Sequence, residues 1–135
     1  MRLLLDTHVF IWSVMASRQL KADARAYLAS AQVVYVSAAS IWEIAIKAQL
    51  GKIEGDAQAF AAAIEASGFE ELAVTAAHAA AVARLPLHHA DPFDRLLLAQ
   101  AFSEPLRLVT ADRALAAYGG AVELLQARKA GEGEL

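Results

Sequence analysis

The chain has 135 residues, a net charge of −3, an apolar fraction of 58% and no cysteine. That length suits one domain; disulfides and thiolate zinc sites are excluded, and the slight acidity argues against binding nucleic acid through a broadly basic surface. The apolar surplus over the roughly 45–50% of ordinary domains lies largely in alanine, a strong helix former. It points to faces buried against a second copy or a partner.

In chain order, "RLLLD" opens with a short apolar strand over residues 3–5 that runs into Asp6. One Arg and three leucines before Asp6 are too short for a signal-peptide core or a membrane span, so the reading is a cytoplasmic protein. A short helical segment follows through Ile11 and Trp12. A helix over 22–31 leads to a strand over 33–36, then a helix over 41–50 closed by Gly51. A helix over 57–66, a strand over 72–74 and a helix over 76–85 come next. Pro92 opens a helix over 92–102 that Pro105 stops. A strand over 106–109, a helix over 113–118 closed by Gly119-Gly120, and a weak fifth strand over 122–124 complete a domain spanning 1–126. The polar, glycine-rich residues 127–135 read as a flexible tail. Continuous apolar strands that alternate with helices imply right-handed crossovers and a parallel sheet of about four or five strands with helices on both faces, an α/β fold.

In such a sheet the strand C-termini and helix N-termini share one edge, where ligands bind. Asp6 ends the first strand. Glu43 falls in the first turn of the helix in "SAASIWEIAIK", Asp94 in the first turn of "DPFDRLLLAQA", and Asp112 follows the fourth strand in "LVTAD". Each has a structural role open to it. Asp6 and Asp112 suit N-caps, Ser40 and Glu43 form a capping-box pattern, Glu43 can pair with Lys47, and Asp91 suits a cap before Pro92. Together the four carboxylates repel one another unless a cation sits among them. Hard oxygen donors without cysteine favour Mg²⁺ or Mn²⁺, ions that polarise a phosphate and activate water.

Other signals are weaker. His88 and His89 suggest a transition-metal site, but adjacent loop histidines tend to point apart. His8 lies close to Asp6, with a structural role the simpler reading, and His78 carries no signal. Trp12 and Trp42 read as core or interface before base-stacking platforms. Lys47, Lys52 and Arg95 are candidates for phosphate contact against the alternative of plain surface charge. There is no phosphate-binding glycine loop, no dinucleotide fingerprint and no nucleophile elbow.

The motifs "LLLDTHVFIW", "SAASIWEIAIKAQLGKI", "LPLHHADPFDRLLLAQA" and "LRLVTADRAL", in this order from about residue 2 to 125, resemble the PIN-domain ribonucleases. They are most similar to the VapC-type toxins of bacterial toxin–antitoxin pairs. The resemblance implies a three-layer α/β/α sandwich and a catalytic quartet of Asp6, Glu43, Asp94 and Asp112. Asp6 and Asp94 would bind Mg²⁺ directly, Glu43 and Asp112 through water, and Thr110 would support the site by hydrogen bonding. It implies an RNA substrate, a homodimer or higher toxin–antitoxin assembly, and inhibition by a VapB-type antitoxin that enters the acidic groove. Ala90 departs from the family, where that position is often basic. The expectation is therefore a Mg²⁺-dependent endoribonuclease toxin that hydrolyses RNA phosphodiesters with a metal-activated water. The alternatives are a degenerate PIN-like module that only binds protein, and a phosphatase with Asp6 as nucleophile. His8 stands where a phosphatase of that type commonly has a second Asp.

Overall fold

The computed structural model describes residues 1–126; the expected tail, 127–135, lies outside the described residues. The chain runs β1 (Arg2–Leu5), α1 (Thr7–Val14), α2 (Ala22–Ala29), β2 (Val33–Ser37), α3 (Ala38–Gln49), α4 (Ala57–Ala66), β3 (Glu70–Leu72), α5 (Ala76–Ala81), a 3₁₀ turn (Val82–Arg84), α6 (Pro92–Ser103), β4 (Arg107–Thr110), 3₁₀ turns over Arg113–Ala121, and β5 (Val122–Leu124). The five strands form one sheet in the order β3-β2-β1-β4-β5, with every neighbouring pair parallel. This is the expected α/β sandwich. Among the described residues no helix is long and apolar enough to cross a membrane.

The side-chain alternation of a strand divides "LLL" between two cores. Leu3 and Leu5 pack with Phe10, Val36, Ile44, Phe60 and Ile64 on one face. Leu4 packs with Leu97, Leu98, Leu108, Leu115 and Tyr118 on the other. Both faces of β1 are thus dry, which is why its sequence is a continuous apolar run. Leu5 pairs with Val36 on one side and Val109 on the other, so β1, β2 and β4 end level. The chain builds outward from β1 to β3, then returns past β1 to build β4 and β5. The carboxyl end of β1 is therefore the switch point at which a crevice opens.

Several boundaries differ from the sequence reading. β3 covers Glu70–Leu72 rather than 72–74, because it is an edge strand: its exposed Glu70 and Glu71 suit an unpaired edge, and Val74 lies beyond it, 38% exposed. α3 begins at Ala38, with Ser37 capping it by accepting from the Ala39 amide. Ser40 and Glu43 therefore form no capping box, and Glu43 lies in the second turn. Gly51, at φ +73, closes α3: the Gly51 amide donates to Ala48 and the Lys52 amide to Lys47, a left-handed cap that glycine adopts without penalty. The expected helix over 113–118 is wound as 3₁₀ turns that break at Gly119, φ +85. The expected helix over 76–85 tightens to 3₁₀ after Ala81.

Candidate metal centre at the carboxyl edge

Asp6 follows the last residue of β1 and caps α1, with Oδ1 accepting from the Val9 amide at 2.8 Å. Its other oxygen accepts from the Thr110 hydroxyl. Thr110 Oγ1 in turn accepts from the Asp112 amide at 3.0 Å. Thr110, fully buried at the end of β4, thus ties two carboxylate-bearing turns together. Asp112 caps the 3₁₀ turns, with Oδ1 accepting from the Ala114 amide. Asp91 caps α6 through the Phe93 and Asp94 amides, and Asp94 sits in the first turn of that helix. Capping and edge placement coincide here because a helix that follows a parallel strand starts at the carboxyl edge.

Glu43 reaches the same region from α3. It is buried, and both its oxygens are engaged: Thr7 donates to Oε1 at 2.6 Å and Lys47 forms an ion pair with Oε2. Thr7 Oγ1 also lies 2.9 Å from Ser40 Oγ, which joins the starts of α1 and α3.

The charges interact. Burial, with a further push from Asp94, raises the Asp6 carboxyl from its ordinary 3.8 to about 6, against the opposing bonds from Thr110 and Val9. Asp94 is also raised, chiefly by burial and then by Asp91 and Glu43, while His89 pulls it down. Lys47 is held above its ordinary value by its bond to Glu43 and by the fields of Asp91 and Asp94. Asp6 and Glu43 interact with Asp94 through their fields, and Asp112 is tied by its amide to Thr110 and by its carboxylate to His89; the closely spaced ligand atoms are those of Asp94, Asp112 and His89, not of Asp6 or Glu43.

The sequence reading raised His89, with His88, as a possible metal ligand and set it aside. Its Nε2 lies 2.9 Å from Asp94 Oδ2 and 4.0 Å from Asp112 Oδ2. His89, Asp94 and Asp112 offer ligand atoms all within 4.8 Å of one another. The signal available was "HHAD", and the neighbours do point apart: His88 packs its ring edge-on to Tyr118. Arg95, expected as a phosphate contact, is instead buried. Its guanidinium donates to the carbonyls of Val82, Pro86 and His89 and to the Tyr118 hydroxyl. That fan of bonds fixes the loop carrying His89 and, with its burial, turns the guanidinium inward. Lys47 is engaged by Glu43. Trp42 is 60% exposed and meets Phe93 edge-on at 5.2 Å, so it is not core. His8 is exposed and lies beside Trp12. His78 is buried and bonded to Glu104 and to the Thr75 amide, away from this edge.

A divalent ion fits this donor set. The group offers hard carboxylate oxygens and one imidazole, and burial first, with neighbouring carboxylates second, raises Asp6 and Asp94, a cost that a bound cation would offset.

The parallel sheet and the position of this edge define a class of α/β proteins that bind ligands at the sheet's switch point. The model of the PIN domain matches residues 3–121, and the chain belongs to that family, whose members are generally nucleases. No curated protein matches it in sequence. Among solved structures it is similar to VapBC2 from Rickettsia felis bound to a DNA fragment from their promoter, at 16% identity and a TM-score of 0.68, over 95% of this chain and 100% of that one. It is also similar to a toxin–antitoxin complex from Klebsiella pneumoniae (18%, 0.64, 90% and 95%) and to FitAcB from Neisseria gonorrhoeae (22%, 0.63, 90% and 96%). At these identities the shared feature is the fold.

Proposed function

We propose that this protein is a Mg²⁺- or Mn²⁺-dependent endoribonuclease, acting in the cytoplasm as the toxin of a toxin–antitoxin pair. The observation that carries the reading is the grouping of Asp94, Asp112 and His89 at the carboxyl edge of a PIN fold, with Asp6 and Glu43 near enough to interact with Asp94. The similarity to toxin–antitoxin complexes supports a VapB-type antitoxin as partner. The apolar side chains left on the surface, among them Met15, Leu50, Leu87 and Phe102, support contacts with that antitoxin and with a second copy.

Asp6 and Asp94 would hold the ion, with Glu43 and Asp112 placed to hold it through water. When bound, the ion supplies a Lewis acid for the phosphate and lowers the pKa of water. The protein's own groups prepare for this. The Thr110 hydroxyl and the Val9 amide fix the rotation of Asp6. Lys47 neutralises Glu43, so the edge is less repulsive to an incoming phosphodiester. Burial keeps the Asp6 and Glu43 carboxylates poorly solvated, which strengthens their hold on a cation.

The test is cleavage of a mixed small-RNA pool by purified, partner-free protein with Mg²⁺, Mn²⁺ or EDTA, beside a folded Asp94→Asn variant. Discrete cuts that need both metal and Asp94 are expected. Folded protein that cuts nothing under any metal would favour a protein-binding module.

A further inference from the structure

The geometry points to His89 as a direct nitrogen ligand of the metal centre proposed above, and as the residue that makes the centre favour Mn²⁺, or a similar first-row ion, over Mg²⁺. The inference rests on the metal-dependent reading and deepens it.

Three observations carry it. First, the crowded donor group of this edge contains an imidazole. His89, Asp94 and Asp112 bring their ligand atoms within 4.8 Å of one another. Second, the spacing suits one ion. Bonds of about 2.1 Å to an octahedral ion put neighbouring donors about 3.0 Å apart. His89 Nε2 lies 2.9 Å from the Asp94 oxygen, the separation of two neighbouring ligands, and 4.0 Å from the oxygen of Asp112, the carboxylate proposed above to hold the ion through water. Third, the backbone that carries the imidazole is held in place. The His89 carbonyl accepts from the buried Arg95, as do those of Pro86 and Val82, so the loop is built around a buried cation.

In the metal-free chain Nε2 faces two carboxylate oxygens, so it carries the proton. As a ligand it offers the Nε2 lone pair, and the neutral ring keeps its proton on Nδ1. The selectivity follows from donor softness: carboxylate oxygens alone suit Mg²⁺, and imidazole shifts a site toward transition ions.

The experiment uses the full-length protein without partner and titrates it with MnCl₂, followed by electron paramagnetic resonance, with MgCl₂ as competitor. His89→Ala, His89→Asp and Asp94→Asn variants run in parallel, with circular dichroism to establish folding. Loss of affinity alone does not decide the matter, since removing a hydrogen-bond partner behind a ligand also costs roughly 10–100-fold. The deciding readouts are nitrogen coupling to bound Mn²⁺ in the pulsed spectrum and the Mn²⁺/Mg²⁺ affinity ratio. The expected result is a ¹⁴N coupling that vanishes in both His89 variants, with the ratio falling about tenfold in His89→Asp as an oxygen replaces nitrogen. Mn²⁺ bound in an Asp94-dependent way, but with no nitrogen coupling and an unchanged ratio in folded His89→Asp, would overturn the inference and leave the metal-dependent reading standing. No Asp94-dependent binding of either ion would overturn both.

Discussion

Asp6→Asn should make the metal-free protein more stable at neutral pH, although it removes a carboxylate from the heart of the site. The folded-state carboxyl sits at about 6, against an ordinary 3.8. Each pH unit between those values is worth about 1.4 kcal/mol, so ionised Asp6 costs the metal-free fold about 3 kcal/mol. The sign follows from the raised folded value. The folded state holds this proton more tightly, so stability is greatest below 3.8, falls as pH rises to about 6, and stays low above it. An asparagine keeps the acceptor for the Val9 amide but turns an N–H toward Thr110, a mismatch worth about 1 kcal/mol. The net gain at pH 7.5 is then about 2 kcal/mol. Urea unfolding in EDTA at pH 4 and pH 7.5 measures it. Asp6→Asn should match or fall below the parent at pH 4 and exceed it at pH 7.5. Adding Mn²⁺ should reverse the order at pH 7.5, since only the parent gains fully from binding. A variant no more stable than the parent at pH 7.5 in EDTA, or a difference that ignores pH, would refute the claim that this carboxylate is held at a cost.

Further substitutions probe the frame around the site. Lys47→Met strands a buried carboxylate and should cost about 2–3 kcal/mol, less than the 3–5 of a fully buried pair because Lys47 is 28% exposed. Adding Glu43→Gln should recover most of the loss in a urea-denaturation cycle. Arg95→Met leaves buried carbonyls without a donor and should cost about 2–4 kcal/mol. It should also weaken Mn²⁺ binding by isothermal titration, although Arg95 touches no carboxylate of the site. Ala16 ends α1 at φ +51, with the Ser17 amide donating back to Trp12. Ala16→Gly should stabilise by about 0.5–1 kcal/mol, read as a higher Tm with an unchanged metal response.

The sheet was legible in the sequence because a strand buried on both faces must be apolar throughout, as "RLLL" and "RLVT" are. The edge strand β3 escaped the same rule by being half exposed, and its glutamates hid it. Asp6, Asp94 and Asp112 were legible from topology alone, since strand ends and helix starts share one edge whatever the side-chain packing. Glu43 reached that edge from the second turn because Ser37 took the cap that Ser40 was expected to fill. His89 and Arg95 were noticed in the sequence, but their places were not legible. Their roles depend on the path of an irregular loop, and that path is fixed by contacts between Arg95 and carbonyls 6 to 13 positions earlier in the chain, which leave no periodic pattern.

The most direct test of the central claim is the chemistry of the cut ends. RNA is cleaved in H₂¹⁸O with Mn²⁺, and the products are weighed by mass spectrometry. Hydrolysis at the metal edge should place one solvent oxygen on a terminal phosphate monoester, with no 2′,3′-cyclic phosphate, and should cease in Asp94→Asn. Cyclic phosphate ends, or cutting that persists in EDTA and in Asp94→Asn, would contradict the account.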